Sequence, residues 1–113
     1  MKDFAPSIYR QRLVIEGCPK SKISDEEICD YLKQLGSELD MKVLTDPVTH
    51  RSDKFGWAGW VHWETSGAHF YAWEKPKLFF SVDIYTCKPF KSLTAKCYTQ
   101  NFFKTKEIVF RSF

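Results

Sequence analysis

The sequence predicts an α+β fold, a two-layer sandwich whose largely antiparallel sheet carries two helices on one face, in the order β-α-β-β-β-β-α-β. Three observations predict it. Trp57–Glu64 and Leu78–Thr86 alternate apolar and polar residues with the period of a strand. Ile28, Tyr31, Leu32, Leu35 and Leu39 recur instead at helical spacing. Finally, four consecutive strands between two helices suit helices gathered on one side of a sheet.

Each element has its own local warrant. Ile8 to Glu16 reads as a first strand that ends at Gly17, before a Cys18-Pro19 turn. Ser24 and Glu27 form a capping box, in which the hydroxyl accepts from a free helix N–H and the carboxylate reaches back. A helix from Asp25 to about Leu39 follows, with Gly36 a candidate early stop. Met41 to Val48 is expected as the second strand, weakened at Pro47, which donates no ladder hydrogen bond.

In the third strand, Trp57, Gly59, Val61 and Trp63 share one face, while Ala58, Trp60, His62 and Glu64 share the other. Thr65-Ser66-Gly67 is expected as the turn into a fourth strand, Ala68 to Trp73. Leu78, Phe80, Val82 and Ile84 share one side of the fifth, Leu78 to Thr86. Phe90 to Phe103 is expected as the second helix, and Lys106 to Phe110 as a closing strand.

A chain of 113 residues is the size of one domain, here 1–113. Ten Phe, five Tyr and four Trp make 17% of it aromatic, more rings than one small core hides. That surplus predicts an oligomer interface or a ligand platform. The 17 basic and 14 acidic residues are mixed along the chain and leave a net charge of +3. So mild a balance sets no strong expectation of nucleic acid or of a membrane surface.

Cys18, Cys29, Cys87 and Cys97 form no CxxC pair, and the three His do not cluster at ligand spacing, so no metal site is expected. Met1 to Arg10 lacks the apolar run of a signal peptide, and no stretch reaches membrane-spanning length. A reduced, cytoplasmic protein is the resulting expectation.

One constellation carries chemistry. His50-Arg51 stands ahead of Gly56-Trp57-Ala58-Gly59; Ser66, an apolar strand and Trp73 follow, and then Val82-Asp83-Ile84-Tyr85-Thr86-Cys87. In this combination the chain resembles the prokaryotic S-adenosylmethionine decarboxylases, from about Tyr9 to its end, with one extra residue near Lys75 to Lys77. The resemblance implies that family's fold, a homodimer, S-adenosylmethionine as ligand, and a role in polyamine (spermidine) biosynthesis. It also implies autocatalytic cleavage between Thr65 and Ser66. A serine attacks the preceding carbonyl to give an ester, and elimination leaves a pyruvoyl cofactor on the new N-terminus. Such nucleophilic catalysis needs a strained turn, an oxyanion stabiliser and a base.

By position Ser66 is the implied nucleophile and Cys87 the proton donor. Trp73 and Tyr71 fall at ligand-binding positions, and Glu74 lies one residue from the family's ribose-binding carboxylate. The departures cluster around processing. Thr65 replaces a Glu, Gly67 a His, Tyr71 the processing His, and Ala58 the helper Ser of Gly-x-Ser-Gly. A tyrosine, with an unperturbed pKa of about 10, is a poor base at neutral pH. A second alignment sets His69 on the family's first His, but then Ala68 takes the nucleophile's place and Trp73 the base's. His69 itself shares a strand face with Tyr71 and is the candidate replacement base.

Blander readings stand beside these. Thr-Ser-Gly suits a plain hairpin turn, and Cys87 alone suits a small buried hydrophobe. A non-processing pseudoenzyme, binding the same ligand or regulating an active paralogue partner, is the second functional class. A third is RNA or single-strand binding through Lys54-Phe55-Gly56-Trp57-Ala58-Gly59-Trp60-Val61, whose order does not match the usual aromatic RNA-binding string.

Overall fold

The computed structural model describes residues 2–113. Strand β1 (Gln11–Gly17) and helix α1 (Asp25–Glu38) come first, followed by β2 (Val48–Ser52), β3 (Gly56–Trp63), β4 (Ser66–Trp73) and β5 (Phe79–Thr86). Helix α2 (Ser92–Phe103) and strand β6 (Ile108–Ser112) complete the expected order. The strands form one sheet, β2-β3-β4-β5-β1-β6, and every neighbouring pair is antiparallel.

Strand alternation divides the sheet into a covered and an open face. Leu13, Ile15, Val61, Trp63, Phe70, Phe80, Val82 and Ile84 are buried on the covered face. Both helices lie there, because rings of α1 and α2 meet rings of the sheet. Tyr31 packs 5.2 Å from Phe70, and Phe103 packs 4.8 Å from Phe80. Tyr31 is fully buried with its hydroxyl 2.7 Å from Thr99 Oγ1. Thr99 gives its own proton to the Ala95 carbonyl, so Tyr31 is the donor. Burial drives the Tyr31 phenol well above its ordinary pKa, against a smaller downward pull from Thr99.

The capping box at Ser24 and Glu27 is formed in both directions. Gly36 does not end α1, which continues to Glu38. A Cβ at Gly36 would stand 3.0 Å from Trp63 Nε1, so the glycine lets the helix end settle on that indole. Trp63 Nε1 is buried there with no hydrogen-bond partner.

Several boundaries correct the sequence reading. The second strand is Val48–Ser52, not Met41 to Val48, because the ladder starts only beyond Pro47, with Val48 opposite Trp60. Of the expected stretch, Val43 alone makes an isolated bridge, to Trp63. The turn expected at Thr65-Ser66-Gly67 is shorter. Trp63 pairs with Ser66, leaving Glu64-Thr65 as a two-residue loop and Ser66 and Gly67 in β4. Helix α2 begins at Ser92 rather than Phe90, since the Gln11 side chain engages both the N–H and the C=O of Phe90. The last strand is Ile108–Ser112, displaced from Lys106 by a left-handed Lys104 and by Thr105, whose hydroxyl lies between the Cys18 and Glu107 carbonyls.

Candidate functional site

The tip of the β3–β4 hairpin sets the site. Thr65 has φ +70, in the left-handed region. A β-branched residue is strained there, at a cost of about 1–3 kcal/mol. Ser66 comes next, and the N–H of Cys87 donates to its Oγ at 3.3 Å. Cys87 follows the end of β5, which runs beside β4, so adjacent strands bring together two residues 21 positions apart.

Ser66 also borders a hollow of about 420 Å³, lined with Arg12, His62, Gly67, His69, Asp83 and Tyr85. Most of that lining is open-face. His62 lies opposite Gly67, Trp60 opposite His69, and His69 opposite Asp83. Arg12 reaches Asp83 with two bonds, Nε to Oδ1 at 3.0 Å and Nη2 to Oδ2 at 2.8 Å.

The six candidate residues fall into three groups. Ser66 and Cys87 are in contact. His69 and Tyr71 form a second pair, the Tyr71 hydroxyl lying 3.4 Å from His69 Nδ1 on the open face. Ser66 has the opposite strand parity, shared with buried Ala68 and Phe70, and His69 lies three residues along, about 10 Å at 3.3 Å per residue. Trp73 and Glu74 make the third group, at the other end of β4, about 25 Å from Ser66 by the same measure. Trp73 stacks on Phe79 at 5.7 Å and meets Phe55 edge-on.

Glu74 is already occupied. Arg51 grips it with two bonds of 3.0 Å, and Lys22 approaches to 3.7 Å. The Arg51 bonds hold the Glu74 carboxyl below its ordinary pKa, against the upward push of desolvation. Ala58 and Tyr71 are direct cross-strand partners on the open face, with His50 next to Ala58.

Sequence reasoning missed Arg12, His62 and Asp83 as lining of the hollow. Strand parity was a usable signal, since Asp83 lies within the quoted Val82–Cys87 string and Arg12 comes to it only by the β1–β5 register. No signal marks Thr65, because a β-branched residue gives no warning of a positive φ. Among the described residues, no group of three His, Cys, Asp or Glu is placed to hold a metal ion. None of their helices is long and apolar enough to cross a membrane.

Fold and site together define a two-layer α+β protein with a serine at a strained hairpin tip and a cysteine against it. The family model for S-adenosylmethionine decarboxylase matches residues 13–113. This chain therefore belongs to the S-adenosylmethionine decarboxylase family. It is also similar to the crystal structure of the adenosylmethionine decarboxylase from Aquifex aeolicus VF5. The TM-score is 0.76 at 16% identity, over 94% of this chain and 89% of that one. At that identity the likeness speaks for the fold. No curated protein sequence matches the chain.

Proposed function

We propose that this chain is a self-processing, pyruvoyl-dependent decarboxylase of S-adenosylmethionine or a related amino acid, cleaved between Thr65 and Ser66, of the polyamine-biosynthesis type. The observation that carries this reading is the left-handed Thr65, whose carbonyl the Ser66 hydroxyl would attack. Strain at that residue raises the ground state and is relieved once the Thr65–Ser66 peptide bond is gone. The Cys87 N–H on Ser66 Oγ supports the reading further, because it fixes the nucleophile next to the bond it must attack.

The residues present fit a pyruvoyl group, since its source would be Ser66 itself and its neighbour Cys87. When present, such a group supplies an electron sink for loss of CO2 from an amino acid. Cys87, whose main-chain N–H meets Ser66 Oγ, would be the proton donor to the product. Tyr71, 41% exposed on the open face, is the best supported of the ligand-binding candidates. The open face also presents Val48, Tyr85 and Val109 to solvent, which supports pairing with a second copy of the chain.

The test is the denaturing intact mass. The reading expects two fragments, the second beginning at residue 66 with a blocked N-terminus. An unbroken mass of 13.3 kDa overturns it.

A second reading, a non-processing ligand-binding protein or partner of an active paralogue, has its own observation. The hydrogen-bond partner of Ser66 Oγ is a donor rather than a base. It expects an unbroken chain that still binds S-adenosylmethionine. Salt-sensitive binding of oligonucleotides without nucleoside binding would instead favour the RNA reading.

A further inference from the structure

Cleavage at Thr65 needs something to receive the negative charge that develops on its carbonyl oxygen. We propose that the Lys88 ammonium is that oxyanion stabiliser, an inference that rests on the self-cleavage reading above. Thr65 and Lys88 line one hollow of about 330 Å³ at the hairpin tip, with Asp40, Met41, Lys42 and Glu64. The Thr86-Cys87-Lys88 segment is laced against the bond to be cut. Cys87 N–H meets Ser66 Oγ at 3.3 Å, and the fully buried Thr86 donates its hydroxyl to the Lys88 carbonyl at 2.8 Å. Continuing the register from Gly67 opposite Tyr85 sets Thr65 across from Cys87, with Lys88 next in line.

The present contacts of Lys88 show what its ammonium can do. It donates to the main-chain carbonyl of Asp40 at 2.5 Å and to Asp40 Oδ2 at 3.2 Å. It therefore already solvates the carbonyl of one left-handed residue, Asp40 with φ +55, close to another, Thr65. The Asp40 side chain is 99% exposed, so its ion pair is screened by water and weak. With two of the three ammonium donors on Asp40, the third is left for another acceptor. The other two charges of the hollow, Lys42 and Glu64, pair with each other at 3.4 Å.

The step is an isomerisation. A bond forms between Ser66 Oγ and the Thr65 carbonyl carbon, the bond from that carbon to the Ser66 nitrogen breaks, and the hydroxyl proton ends on the freed amine. Lys88 donates a hydrogen bond to the carbonyl oxygen while it carries charge, and keeps its proton throughout.

The experiment follows full-length chain from cell-free synthesis by denaturing mass, in wild type, Lys88→Met, Lys88→Arg and Asp40→Asn. The expectation is cleavage slowed roughly a hundredfold in Lys88→Met, the size of losing one oxyanion donor. Lys88→Arg is expected within about tenfold of wild type, and Asp40→Asn no slower than wild type. Lys88→Gln is read in place of Lys88→Met if near-ultraviolet circular dichroism shows that variant misfolded. Wild-type cleavage with an equally fast Lys88→Met overturns the role of Lys88 alone. Equal slowing in Asp40→Asn also overturns it, since the ion pair would then act by holding the tip. A wild-type chain that stays whole overturns both this inference and the reading beneath it.

Discussion

At the scale of single residues, Thr65 combines two properties that seldom meet, a β-branched side chain and a positive φ. Glycine at this position meets no such steric penalty. In a Ser66→Ala background, where no cleavage intervenes, Thr65→Gly is expected to raise stability by about 1 kcal/mol in a urea titration. In the Ser66 chain the same substitution is expected to slow cleavage, read as a longer-lived full-length mass. Stabilisation without slowing would mean that the strain is incidental to the chemistry. Gly56 and Gly59 show the complementary use of a residue without Cβ. A Cβ at Gly56 would meet the Ala72 carbonyl at 2.3 Å, and one at Gly59 would meet Ile28 Cγ2 at 2.6 Å. Both glycines belong to the Gly56–Gly59 motif that carried part of the family resemblance; packing accounts for Gly59, and packing together with a φ of +132 for Gly56.

At the scale of elements, Gly59 governs how closely α1 lies on β3. Gly59→Ala is expected to destabilise by roughly 1–3 kcal/mol in urea, as overpacking does. Adding Ile28→Val should recover part of that loss, and a purely additive double mutant would show that the two positions do not meet. The Arg51–Glu74 pair ties β2 to the segment after β4. Its sign follows from the lowered folded-state pKa of Glu74. The stabilisation is present above the unfolded carboxyl pKa and is lost as pH falls through the folded one. Glu74→Gln should lower Tm at neutral pH, since Arg51 loses the partner of its two bonds and the Glu74 side chain is only 11% exposed. It should also flatten the acid limb of a Tm-against-pH curve; an unchanged limb would show that the pair contributes nothing.

Much at this scale was legible in the sequence. Alternation marked β3 and β5 because each has one buried face, and the capping box marked the start of α1. The residues of β2, Val-Thr-His-Arg-Ser, carry no such pattern, because an edge strand is defined by its ladder rather than by an apolar face. The apolar residues of 41–48 misled for the same reason, since Leu44 is 57% exposed. Within the site, the family's spacing singled out Ser66 and Cys87, while their hydrogen bond depends on the β4–β5 register, which no local pattern gives. Turn-forming residue types hid the fact that Ser66 lies in a strand, paired with buried Trp63.

At the scale of the whole molecule, the helices cover one face of the sheet and the other is left to aromatic and charged side chains. Pairing of two open faces predicts a sedimenting species of twice the 13.3 kDa chain. Val48 and Val109 stand on that face at opposite edges, in β2 and β6. Val48→Glu with Val109→Glu is expected to shift the sedimentation equilibrium toward monomer without changing the far-ultraviolet spectrum. Dimers of unchanged strength would move the interface elsewhere.

The strand order has a consequence for what a cut at the hairpin tip would do. Strand β1, the first made, lies between β5 and β6, the last two. A break between residues 65 and 66 would leave one piece with β1, α1, β2 and β3, and the other with β4, β5, α2 and β6. Each piece would still be threaded into the other at two places, β3 along β4 and β1 between β5 and β6. The halves are thus natural complements. Made as separate peptides, neither carries a complete sheet, and mixing them should rebuild one particle.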